Sequence, residues 1–185
     1  LGGGLFEYPN HAALMDTPVV LGKFKCITRE LRGARFHHLF VDRAVGFDSE
    51  AEGFVDQVMR VAGACHALFG SFPFDEYSFV YSFSPTAHWG LEHACATMIG
   101  LGEDALIDPG QRASAVRVAA HELLHAWNVC RLRPAALVEP DLAAGSFTDA
   151  LWVSEGITRY YEFLLCVRAG ALPAESFFSN LVNYH

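Results

Sequence analysis

The stretch His121-Glu122-Leu123-Leu124-His125 constrains this chain more than any other. On an α-helix, side chains four residues apart stand one turn above each other on the same face. Both imidazoles can then reach one metal ion at about 2.0–2.1 Å. Glu122 lies about 100° round the helix from His121, near enough to hold a water beside the ion without binding the ion itself. Val116, Ala119, Ala120, Leu123, Leu124 and Trp127 surround the pair, so the helix must be buried while carrying three polar groups. A metal site then demands a third ligand, a carboxylate or a His on another element, with one position left for water. Two buried His that only hydrogen-bond to backbone are the alternative, and they demand no such partner.

Trp152-Val153-Ser154-Glu155-Gly156 supplies the partner. Glu155 sits beside Leu151 and Trp152 on an apolar helical stretch, where a carboxylate is costly unless paired, metal-bound or turned to solvent. The loop between the two helices permits antiparallel packing, which would carry Glu155 towards His121 and His125. A solvated helix face is the alternative for Glu155 taken alone.

Around these helices the pattern puts strands first. Val19 to Leu31 reads as a strand, Arg32-Gly33 as a turn and Arg35 to Asp42 as a second strand, so the pair predicts a hairpin. Ser49 opens a helix whose apolar residues, from Phe54 to Leu68, recur at three- and four-residue spacing until Gly70 and Pro73 close it. Tyr77 to Phe83 alternates and reads as a half-buried strand, either an edge able to pair with a substrate backbone or an interior strand. Ser84 to Gly110 reads as irregular. Asp108-Pro109 starts the helix that carries the His pair and runs to about Val129, before Arg133-Pro134. Thr148 is expected to cap a helix from Asp149 to about Arg168, closed by Gly170, and Pro173 begins a last helix. The pattern is α+β.

Composition narrows the classes. The 185 residues suit one domain, and 52% hydrophobic against 18% charged residues exclude intrinsic disorder. A formal net charge of -8 with no Lys/Arg cluster excludes a nucleic-acid footprint. No apolar run approaches the ~20 residues of a membrane-spanning helix. Cys26, Cys65, Cys95, Cys130 and Cys166 are scattered with no CxxC pair. They read as reduced thiols, mostly packed inside, a pattern compatible with the cytoplasm but assigning no compartment. The start at Leu1 shows no signal-peptide pattern, and a helical pattern stops uncapped at His185. Both ends read as cuts, so an excised piece of a longer protein is expected.

The run His121-Glu122-Leu123-Leu124-His125-Ala126-Trp127-Asn128-Val129-Cys130-Arg131-Leu132-Arg133-Pro134 closely resembles the glycyl aminopeptidase family of zinc metallopeptidases. That family carries HExxH followed by W-N-V-K-R-I-R-P, and its third ligand is the Glu of W-F-x-E-G, with a Y-Y pair after a short gap. Here that part reads Trp152 to Gly156, then Tyr160-Tyr161. Trp89-Gly90-Leu91-Glu92-His93 is similar to the family's G-G-L-E-H, and Asp16-Thr17-Pro18-Val19 to its D-S-P-V. Cys130 stands in place of Lys, Trp89 in place of Gly and Val153 in place of Phe; none of the three is a proposed ligand.

The resemblance implies a zincin, thermolysin-like catalytic domain with an incomplete helical lobe. In the whole protein a β-rich domain would precede it and a PDZ-like domain would follow. It implies one Zn²⁺ held by His121, His125 and Glu155, with Glu122 as general base, and a peptide substrate losing small N-terminal residues such as Gly or Ala. Glu92 would bind the substrate's α-amino group, or else is a solvated loop carboxylate. Tyr160 and Tyr161 are candidates for stabilising the oxyanion or bracing a ligand, with core packing as the alternative. Asn128 and Arg131 read as helix-end hydrogen bonders, His37, His38, His66 and His88 as ordinary histidines, and His93 has no assigned role. The rival class is a non-catalytic peptide-binding or scaffold fragment that keeps the fold, and even the zinc, without turnover.

Overall fold

Arg32 and Gly33 both adopt positive φ, 52° and 87°, the two-residue turn whose twist suits a tight hairpin. In the computed structural model, which describes residues 6–41, 48–141 and 143–183, they join β1 (Phe24–Leu31) to β2 (Ala34–Val41). β1 begins at Phe24 rather than Val19, because Gly22 sits at φ 113° and Val19 and Leu21 stay exposed. The Asp42 end expected for the second strand, like both chain ends, lies outside the described residues. A short helix, α1 (His11–Met15), precedes the hairpin, and α2 (Asp48–Phe69) follows it.

β3 (Glu76–Phe83) then enters the middle of the sheet, parallel to β2 on one side and to β5 (Ala96–Leu101) on the other. It is therefore the interior strand of the two alternatives, and its edges are taken. β4 (Trp89–Glu92) pairs antiparallel with β5 and forms the sheet edge, giving the order β1-β2-β3-β5-β4 among the described residues. The expectation of an irregular Ser84 to Gly110 is thus corrected by two strands. Their glycines read as breakers but serve close contacts. A Cβ at Gly100 would lie 2.3 Å from the Trp89 indole nitrogen, its cross-strand partner, and one at Gly90 would meet the next layer.

That layer is helical. Phe36, Phe40, Tyr77, Phe79, Tyr81 and Ile99 cover the inner sheet face, and Phe54, Val55, Val58, Val61 and Cys65 of α2 pack on them. α3 (Pro109–His125) contributes Ala115, Val116, Ala119, Ala120 and Leu123 to the same core. Its small residues admit close neighbours on several sides, and it touches α2, β4, β5 and α4 (Leu151–Arg168). His38 is fully buried in the sheet, stacked on Phe79 and bonded through Nδ1 to the Tyr81 hydroxyl at 3.0 Å; burial pushes its pKa down to about 3.

Asp108 caps α3 by accepting from the Gln111 backbone N–H at 2.8 Å, with Pro109 in the first turn. The helix stops at His125, not near Val129. Val129 takes φ 138°, a strained value for a β-branched residue. α4 begins at Leu151 with no side-chain cap. Thr148 accepts from Ala150 N–H upstream of the helix, so the expected N-cap is corrected to a local turn. α5 (Ala174–Asn183) packs back on α4. All five cysteines are free, and only Cys65 and Cys166 are buried, fewer than expected. Among the described residues, no helix is long and apolar enough to cross a membrane.

Candidate metal centre

His121 and His125 occupy the last turns of α3, and Glu155 the first turns of α4. The four-residue spacing of the two His on α3 puts their ring Nε2 atoms 3.0 Å apart, and packing of α4 on α3 brings Glu155 to them. His121 Nε2 lies 3.2 Å from Glu155 Oε2, and His125 Nε2 lies 3.7 Å from Glu155 Oε1. Ligands about 2.0–2.1 Å from a tetrahedral zinc stand about 3.3–3.4 Å from one another. The three side chains therefore already describe one face of such a site.

The rings are oriented from behind. His125 Nδ1 faces the Asn128 carbonyl oxygen at 2.8 Å, and His121 Nδ1 faces Glu162 Oε2 at 2.5 Å. Both partners are acceptors, so the neutral rings are matched with the proton on Nδ1 and the Nε2 lone pair free. Two lone pairs and a carboxylate converging on one point call for a cation between them. Burial lowers the His121 pKa, but the hydrogen bond and charge of Glu162 outweigh it, and the net shift is upward. Asn128 also ties the helices together. Its amide reaches the carbonyls of Val153 and Ser154 and the Thr158 hydroxyl, each at 3.0 Å. The strained Val129 ends the turn that holds Asn128 in this position.

Glu122 is 5% exposed, and its Oε2 has no hydrogen-bond partner. Burial pushes its pKa up to about 7; Glu92, Glu155 and Glu162 add to that rise, and His121 opposes it. A Cβ on Gly90 would fall 2.0 Å from Glu122 Oε1, so only glycine on β4 leaves room for this carboxylate. The Tyr77 hydroxyl donates to the Glu122 carbonyl at 3.3 Å and pins the helix to the sheet.

Glu92, at the end of β4, stands beside the same centre. Its carboxylate, that of Glu122 and a ring nitrogen of His125 lie within 4.8 Å of one another. This set shares His125 with the first. With Nδ1 committed to Asn128, the ring has one nitrogen to offer, and the two-His, one-carboxylate set is the better match for zinc. His93 bonds to Asp16 Oδ1 at 3.3 Å, and Asp16 Oδ2 accepts from Ala94 N–H at 2.9 Å, which ties the start of the chain to the turn after β4. Arg131 donates to the carbonyls of Ala94, Ala126 and Pro73, the helix-end bonding expected of it. Tyr161 packs against the core, and Tyr160 lies edge-on to Tyr161 and Phe177. Ring packing accounts for both, and neither belongs to the His–Glu groups described above.

Glu162, Gly90 and Tyr77 went unread in the sequence. Glu162 carried a usable signal: seven residues after Glu155, it shares that residue's helix face.

Residues 114–184 match the family model of the M61 glycyl aminopeptidases, the family named from the motifs. No curated protein matches the chain. Among solved structures, the crystal structure of an aminopeptidase N family protein from Idiomarina loihiensis superposes with a TM-score of 0.85 at 23% identity. The match covers 92% of this chain and 30% of that one, so the chain spans less than a third of that protein's length. The two share a fold.

Proposed function

We propose that this chain, whose residues 114–184 match the M61 glycyl aminopeptidase family model, is the zinc-dependent catalytic core of a peptidase. It removes small N-terminal residues such as Gly or Ala. The observation that carries this reading is the convergence of His121, His125 and Glu155, at 3.0, 3.2 and 3.7 Å, beside an unpartnered buried Glu122. It supports the reading of a thermolysin-like zincin. One Zn²⁺ held by the three ligands would supply Lewis acidity towards a water and the scissile carbonyl.

The chain's own residues supply the rest. Glu122 takes the proton of the attacking water and passes it to the leaving amine, which is a poor leaving group unless protonated. In the metal-free protein burial raises its pKa to about 7, which makes it a ready proton acceptor. The free edge of β4 offers backbone groups to an extended peptide, a place that β3 cannot take. Glu92, at the end of that strand, faces the protonated N-terminus of the peptide. In the whole protein, a β-rich domain precedes this unit and a PDZ-like domain follows it; the limited share of the Idiomarina protein that is matched supports further domains.

Zinc analysis paired with a peptide assay tests the reading. The protein should hold zinc in about 1:1 ratio, and Glu155→Ala should weaken that binding. Gly- or Ala-terminated peptides should be cleaved much faster than their N-acetylated forms, because acetylation removes the charge that Glu92 meets. Absence of zinc after purification with added zinc would refute the metal centre. Equal rates on free and acetylated peptides would refute the aminopeptidase assignment and leave the zinc standing.

A further inference from the structure

Glu162 is the most deeply buried carboxylate near the centre, with none of its surface exposed. A carboxylate removed from water must be paired, and this one is paired on both oxygens. Oε1 accepts from Arg117 Nη1 at 2.5 Å and from Arg159 Nη1 at 2.8 Å. Oε2 accepts from His121 Nδ1. Arg117 stands one turn before His121 on α3, and Glu162 stands two turns after Glu155 on α4. A single side chain of the ligand-bearing helix α4 therefore reaches across to a ligand on α3.

The two arginines give this arrangement its consequence. They take up Oε1 and leave Oε2 to accept from His121. His121 must keep its proton on Nδ1, and its Nε2 stays free to bind a metal. His125 gets the same instruction from the Asn128 carbonyl, a backbone group that no substitution can remove. For His121 the instruction comes from one replaceable side chain.

We propose that Glu162 is a positioning residue of the metal centre: held by Arg117 and Arg159, it fixes the tautomer and ring orientation of His121 and thereby sets the affinity for zinc. The proposal rests on the metal reading above and adds to it a residue that binds neither metal nor peptide. Carboxylates behind ligand imidazoles contribute about 10–100-fold in metal affinity.

The test compares Glu162→Gln with Arg159→Met in zinc-competition titrations against a chelating dye, alongside thermal melting of the metal-free proteins. In Glu162→Gln the arginines claim the amide oxygen, which turns the NH₂ group to His121 and forces the proton onto Nε2. Zinc affinity should fall by about tenfold or more. Arg159→Met removes packing and one of the two donors to Oε1, but Arg117 still holds Oε1 and Oε2 stays on His121. Its melting temperature should drop while its zinc affinity stays within about threefold of wild type.

A purely structural Glu162 predicts the opposite pattern. Zinc affinity in Glu162→Gln would stay within threefold of wild type, or the two variants would lose affinity in step with their melting temperatures. Either result overturns the proposal. If Glu162→Gln fails to fold, imidazole ¹⁵N spectra of the unchanged, metal-free protein decide. His121 bearing its proton on Nδ1 supports the assignment, and a proton on Nε2 alone overturns it. A wild-type protein that binds no zinc removes the metal reading and this proposal together, whereas normal wild-type binding with an indifferent Gln variant removes this one alone.

Discussion

Replacing Glu122 by Gln should make the metal-free protein more stable while nearly abolishing peptide hydrolysis. Burial raises the Glu122 pKa from 4.5 to about 7, so the folded protein holds this proton more tightly than the unfolded chain does. Stability from this group is therefore lost as pH rises from 4.5 through 7, and the whole penalty is present above 7. At about 1.4 kcal/mol per pH unit, a rise from 4.5 to about 7 means that the ionised carboxylate costs the folded state roughly 3–4 kcal/mol. Gln keeps the shape and cannot ionise. Relative to the variant, the wild type should lose about 3 kcal/mol of it between pH 4.5 and pH 8, roughly 6–12 °C of melting temperature for a chain of this size. The assay is thermal melting across that range with a chelator present. The slope against pH matters, since any constant cost of the Gln amide cancels. Turnover should fall about a hundredfold or more with zinc retained. Parallel stability–pH curves for the two proteins would refute the buried, unpaired carboxylate, and near-normal turnover by the variant would refute the general base.

Gly90→Ala places a Cβ 2.0 Å from Glu122 Oε1, so the carboxylate must leave its position. Hydrolysis should drop about tenfold or more at unchanged zinc content, and wild-type rates would show that the contact is irrelevant to the chemistry. His38 is held down to about 3 from 6.5. The unfolded chain takes up that proton first, and stability is lost as pH falls from 6.5 towards 3. His38→Gln should recover roughly 2–3 kcal/mol of the stability lost between pH 7 and pH 4.5 in urea unfolding, and an unchanged acid slope in the variant would sink that account.

The helices were legible because their signals are local. Periodicity and Pro109 marked α3, and Gly70 and Gly170 marked the ends of two others. The hairpin was legible from Arg32-Gly33. The chemistry-bearing trio was legible for a related reason: His121 and His125 share a face whatever α3 packs on, and an apolar surround makes Glu155 conspicuous. β4 and β5 were hidden, because Gly90 and Gly100 look like breakers when only chain neighbours are considered. Their meaning appears only with the Glu122 carboxylate and the Trp89 indole beside them. The end of α3 is hidden for a similar reason. Asn128 is drawn out of the helix by bonds to α4 and to His125 that no window of sequence contains.

The sequence by itself determined which residues could bind a metal, since helical spacing is a property of the backbone and needs no partner. Only the tertiary structure decided that Glu155 meets both rings, that Glu162 rather than solvent stands behind His121, and that β4 is an edge strand while β3 is interior. The division follows range. Periodicity and turn chemistry act over a few residues. The strand order, the free edge, and the burial that moves the Glu122 and His38 pKa values arise where segments tens of residues apart exclude water from one another.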